Sequence, residues 1–104
     1  KKREIGNFYN SEFKDISNLQ LPIAKTEYAE NIYWVYGLVL KESALSGADM
    51  IQMLHQAGVG CRAFFYPMHL QPVFIKQGFF QGESYPIAEK LAQQGFYIPS
   101  GLAL

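Results

Sequence analysis

A cation, a phenol, an imidazole and an amide fall within ten residues of one another, at Arg62, Tyr66, His69 and Gln71, in the run Gly60-Cys61-Arg62-Ala63-Phe64-Phe65-Tyr66-Pro67-Met68-His69-Leu70-Gln71-Pro72. The run reads as a strand end passing into a loop, the place where ligands are most often met. The planar donor fork of Arg62 suits a phosphate or a carboxylate, and a surface ion pair would satisfy it equally well. His69 can hydrogen-bond a sugar hydroxyl or steady a charged intermediate near neutral pH, or it can be a packed residue between two prolines. Cys61 lacks any visible base to activate it and reads as a small buried strand residue.

Other chemistry is thin. His55 falls late in a helical stretch, where partial positive charge suits the negative end of the helix dipole. Two histidines and one cysteine this far apart do not make metal-ligand spacing, so no metal is expected. Gly58 and Gly60 flank a single valine and match neither the dinucleotide fingerprint nor the Walker pattern; they cap a helix and turn the chain.

The elements that must position the Arg62 to Pro72 loop can be read from periodicity. Ile5, Phe8, Tyr9, Phe13 and Ile16 recur three or four apart, predicting an amphipathic helix from Lys2 to about Ile16. Asn18 to Pro22 closes it and leads into an extended connection through Ala24 and Tyr28. Asn31 to Leu40, rich in aromatic and β-branched residues, predicts a strand covered on both faces. Ser46-Gly47-Ala48-Asp49 has the form of a capping box, and the helix it opens carries Met50, Ile51, Leu54 and Ala57 on one stripe before Gly58. Gly60 to Phe65 predicts a short strand, and Val73 to Gln77 has room for a turn of helix. Ser84-Tyr85-Pro86 starts a last helix that buries Ile87, Ala88, Leu91 and Ala92 and is capped by Gly95, and Phe96 to Pro99 is a final strand.

Helix and strand alternate three times, with strands too few for a large parallel sheet. The fold class is α+β, with a small, mainly antiparallel sheet of about three strands packed against helices, in a single domain over residues 1–104. Nine basic residues balance nine acidic ones, which removes the electrostatic reason to expect nucleic acid or an anionic membrane as a partner. One cysteine allows no intrachain disulfide and fits a reducing compartment, so the cytoplasm is the expected location. Eight Phe, seven Tyr and one Trp supply flat surface suited to an interface with another domain or subunit. The apolar end Gly101-Leu102-Ala103-Leu104 suggests truncation before a final helix.

The segment Leu54 to Phe74 resembles the small domain of the DegT-type sugar aminotransferases, most nearly the perosamine synthases among them. Arg3 to Tyr9 is similar to that family's opening helix, Tyr33-Trp34-Val35-Tyr36 to its first small-domain strand, and Tyr85 to Leu91 with Tyr97-Ile98-Pro99 to its closing helix and strand. The resemblance implies the C-terminal small domain of a pyridoxal phosphate enzyme whose large, cofactor-binding domain lies outside these residues. It implies transfer of an amino group from glutamate to the 4-keto carbon of a nucleotide-linked 6-deoxysugar, GDP-4-keto-6-deoxymannose first among them. It also implies a homodimer, and a substrate-side role for Arg62, Tyr66 and His69. No catalytic or cofactor-binding residue is expected in this chain. The cofactor lysine and the aspartate that pairs with the pyridine nitrogen would belong to the large domain, and Lys14, Lys25, Lys41, Lys76 and Lys90 read as surface lysines. A free-standing α+β binding module without catalysis is the alternative.

Overall fold

The computed structural model describes residues 1–42 and 45–104. In chain order it contains α1 (Lys2–Phe13), β1 (Leu19–Gln20), β2 (Tyr36–Leu40), α2 (Gly47–Gln56), β3 (Arg62–Ala63), a 3-10 turn (Met68–Leu70), α3 (Pro72–Lys76), α4 (Pro86–Gln94) and β4 (Gly95–Ile98). The strands form one antiparallel sheet in the order β1-β2-β4-β3. The α+β architecture agrees with the sequence reading, but the described residues form four strands where about three were expected. The extra one, β1, pairs Leu19 with Leu40 and Gln20 with Val39, and two residues are too few to show a period.

One sheet face carries the core. Tyr36, Leu38 and Leu40 of β2 and Phe96 of β4 are buried with Tyr33, under Tyr9 and Phe13 of α1 and Met50, Ile51 and Leu54 of α2. Fully burying such a side chain contributes about 1.5–3 kcal/mol, more than a typical exposed ion pair, so this layer sets the stability of the fold. The opposite face is open. Val35, Gly37, Val39, Phe64 and Tyr97 line a shallow hollow of ≈ 390 Å³ there, bordered by Gln20 to Ile23.

The expected strand from Asn31 begins instead at Tyr36, because the backbone turns at Tyr33. Tyr33 has φ 50°, in the left-handed region that few non-glycine residues occupy. Its N–H donates to Asn31 Oδ1 at 2.7 Å, and its hydroxyl accepts from Asn10 Nδ2 at 2.9 Å. The turn presses the Tyr33 ring onto Gly6 of α1, where a Cβ would collide with the ring. Helix α1 stops at Phe13, short of the expected Ile16, which is exposed. Its start is fastened to the far end of the chain: Lys2 Nζ donates to the carbonyls of Trp34 at 2.8 Å and Ser100 at 2.6 Å, and the Tyr9 hydroxyl to that of Pro99 at 2.7 Å.

The capping box forms as its sequence requires. Asp49 N–H donates to Ser46 Oγ at 3.1 Å and Ser46 N–H to Asp49 Oδ2 at 2.9 Å, which together with the Ser46 hydroxyl holds the Asp49 carboxyl below its usual range. Gly58 takes the left-handed conformation expected beyond the end of α2, with φ 81°. Gly95 does not act as a left-handed cap: with φ −95° and ψ 150° it is the first extended residue of β4, and the helix passes straight into the strand. A Cβ on Gly47 would sit 2.5 Å from the Gly95 carbonyl oxygen, so the start of α2 rests directly on this junction. Among the described residues no helix is long and apolar enough to cross a membrane.

Candidate functional site

The loop between β3 and α3 is built from proline-limited pieces. Strand β3 is only Arg62–Ala63, paired with Tyr97 and Phe96, where a strand over residues 60–65 was expected. Pro67 then opens the 3-10 turn, closed by Leu70 N–H to the Pro67 carbonyl at 3.1 Å and Gln71 N–H to that of Met68 at 3.2 Å. Gln71 Nε2 reaches back to the Tyr66 carbonyl at 3.2 Å, and Pro72 occupies the first turn of α3, where its missing N–H costs nothing.

His69, on that turn, is 8% exposed. Its Nε2 lies 2.7 Å from Glu89 Oε1, and its ring meets the Tyr85 ring edge-on with centroids 4.9 Å apart. Since a carboxylate only accepts, the Nε2 atom carries the proton in this pair. Glu89 Oε1 also takes the Tyr85 N–H at 3.3 Å, at the start of α4. The His69 hydrogen bond first, and the Tyr85 N–H second, hold the Glu89 carboxyl below its ordinary value. One carboxylate thus serves both a helix start and a loop twenty residues earlier in the chain.

Tyr66 is exposed and lines a cleft of ≈ 370 Å³ with Leu70, Glu89, Ala92 and Gln93. The structure therefore brings Tyr66 and Glu89 to one hollow between loop and α4, with the buried His69 behind Glu89 rather than in the lining. Arg62 is not part of it. Its register opposite Tyr97 sets it on the open face of the sheet, exposed, with neither an ion pair nor a side-chain hydrogen bond among the described residues. Beside it runs an aromatic series, with ring centroids 4.7 Å apart for Phe64 and Tyr97, 6.1 Å for Phe65 and Tyr97 and 6.4 Å for Trp34 and Phe65. Trp34 and Phe65 are 65% and 74% exposed.

Glu89 is the residue that sequence reasoning did not single out. Its only local signal is an acid in the first turn after Tyr85-Pro86, which announces a helix start and nothing about His69. The remaining candidates take structural positions. His55 stands in the last turn of α2, and its Nε2 accepts the Cys61 N–H at 3.1 Å, tying the helix to the segment before β3. Cys61 is buried, and burial pushes its thiol up and away from the reactive thiolate. Lys14, Lys25, Lys41, Lys76 and Lys90 are all exposed. Among the described residues no cluster of three or more His, Cys, Asp or Glu could hold a metal ion.

Comparison with known proteins places these features in a family. The sequence model of the DegT/DnrJ/EryC1/StrS aminotransferase family matches residues 1–104. A putative pyridoxal phosphate-dependent aminotransferase of Bacillus subtilis is 28% identical over 104 residues, covering 97% of this chain and 26% of that protein. The structure of a putative sugar aminotransferase from Streptococcus pneumoniae in its PLP form superposes with a TM-score of 0.84 at 24% identity, over 99% of this chain and 26% of that one. The E. coli GDP-4-keto-6-deoxy-D-mannose-3-dehydratase with bound hydrated PLP shares the fold with a TM-score of 0.72 at 19% identity, over 95% of this chain and 25% of that one. The chain spans about a quarter of the length of the curated relatives it matches.

Proposed function

The chain belongs to the DegT/DnrJ/EryC1/StrS aminotransferase family, and from that membership we propose that it is the C-terminal small domain of a pyridoxal phosphate-dependent sugar aminotransferase. The reaction we assign to the intact enzyme moves the amino group of glutamate to the 4-keto carbon of GDP-4-keto-6-deoxymannose, giving GDP-perosamine for surface polysaccharide. We assign the enzyme to the cytoplasm, as a homodimer. The single observation that supports the reading most is the match of the family model over residues 1–104, within which the Arg62 to Gln71 loop carries the resemblance.

Pyridoxal phosphate, when bound, delocalises the electrons of the carbon that loses its proton. We place the cofactor's lysine and aspartate on the rest of the enzyme, and read the exposed Lys14, Lys25, Lys41, Lys76 and Lys90 as surface residues. What this chain contributes is one wall of the substrate cleft. Arg62 offers two parallel donors to a phosphate, Tyr66 a hydroxyl to the sugar, and His69 a ring held in a fixed orientation.

The test is to express the complete reading frame and incubate it with glutamate and GDP-4-keto-6-deoxymannose, reading amino-sugar formation by mass. Formation of the 4-amino sugar is expected, and Arg62→Ala, Tyr66→Phe and His69→Ala should each raise the KM for the sugar nucleotide more than the KM for glutamate. A full-length enzyme that transfers no amino group to any nucleotide-linked keto sugar would overturn the proposal.

A further inference from the structure

We infer that Glu89 is a positioning residue for the substrate-side loop, holding His69 in one tautomer and one orientation. This deepens the proposed function and rests on it for the identity of the ligand.

Little else holds the turn. A three-residue 3-10 turn has weak backbone bonds of its own, and the Gln71 to Tyr66 bond is local. Among the described residues, the side-chain hydrogen bond that ties Tyr66 to Gln71 to another element runs from His69 Nε2 to Glu89 Oε1, 2.7 Å long. Both sides of that contact are secured. Glu89 is braced by the Tyr85 N–H, and the His69 ring by the Tyr85 ring, so the start of α4 forms a two-point seat for the imidazole, one point of which is itself hydrogen-bonded in place.

The pairing also decides the chemistry of the ring. With the proton held on Nε2 by the carboxylate, the neutral imidazole keeps Nδ1 as an acceptor; without Glu89 both tautomers are open to it. Glu89 also lines the cleft with Tyr66 and Gln93, so the carboxylate that sets the ring's polarity stands between the buried imidazole and that hollow. The seat is supplied by α4, an element packed on the sheet through β4, which gives a short loop the rigidity it lacks.

Two variants separate the possibilities. Glu89→Gln keeps an oxygen for Nε2–H and for the Tyr85 N–H, while Glu89→Ala removes both. In ring nitrogen NMR of the 104-residue chain, His69 should show Nε2–H in the parent and in Glu89→Gln, and a mixture of tautomers in Glu89→Ala. In the complete enzyme, Glu89→Ala should raise the KM for the sugar nucleotide about tenfold or more, with Glu89→Gln recovering most of it and the glutamate half of the reaction unchanged. An unchanged His69 tautomer in Glu89→Ala overturns the inference whatever the kinetics. A changed tautomer with an unmoved KM overturns the positioning role, and a parent enzyme that does not turn over any keto sugar overturns the functional reading instead.

Discussion

Replacing Tyr36 by Phe removes one hydroxyl from the centre of the core, and its effect should reverse with pH. Tyr36 has 0% exposure, and its hydroxyl donates to Asn10 Oδ1 at 2.6 Å while Asn10 Nδ2 donates to Tyr33. Burial first, and the neighbouring Tyr33 and Tyr9 second, push the Tyr36 phenol from 10.0 up to about 12. The unfolded chain therefore releases this proton while the folded chain still holds it. The contribution is fully present below pH 10, falls as pH rises from 10 and levels off above about 12, and the gap amounts to about 3 kcal/mol. At neutral pH the Phe variant loses the hydrogen bond and leaves Asn10 Oδ1 without its donor, a cost of about 1–2 kcal/mol. The two stability curves should thus be separated near neutrality and converge or cross on the alkaline side. Urea unfolding of both proteins across this range, with phenolate absorbance followed in parallel, reads the difference directly. Tyrosines other than Tyr33 and Tyr9, which are coupled to Tyr36, are common to the pair and cancel. A Tyr36→Phe protein that loses stability as steeply as the parent between pH 10 and 12 would refute the reasoning, as would a Tyr36 that ionises together with the exposed tyrosines.

Two further outcomes follow from close contacts. Gly6→Ala should destabilise by roughly 1–3 kcal/mol in thermal or urea melts despite the better helix propensity of alanine, since the new methyl displaces the Tyr33 ring that Asn10 holds. The Cys61 thiol should react with a disulfide reagent far more slowly in the folded chain than in urea, because burial both shields it and disfavours the thiolate; equal rates would mean that the segment before β3 is open.

What could be read from the sequence was whatever its own neighbours decide. Ser46 and Asp49 cap a helix through atoms three residues apart, and Gly58 ends it by backbone conformation alone, so both were legible. The spacing of Ile5, Phe8, Tyr9 and Phe13 likewise marks a helix face. The strand predicted from Asn31 starts late because Tyr33 is held in a left-handed turn by Asn10 and Asn31, and one of these lies on another element. Gly95 looked like a helix cap, yet the sheet claims it as a strand residue through its pairing with Val39. The site divides in the same way. Arg62, Tyr66 and His69 stood out by residue type within one loop, whereas the link from His69 to Glu89 exists only once α4 packs beside that loop.

The strand order carries a consequence for how the chain is made. Strand β4 lies between β2 and β3, so the last of these four strands to leave the ribosome is the one that joins the two made before it. Tyr36 waits about sixty residues for its partner Ile98, a long loop to close and a slow step for folding. Until then β2 has one bare edge, β3 has no partner at all, and Leu38 and Leu40 lack the Phe96 layer that covers them. During synthesis this segment therefore keeps apolar surface and an open strand edge exposed, and β3 can join the β1–β2 pair only once residues 95–98 emerge.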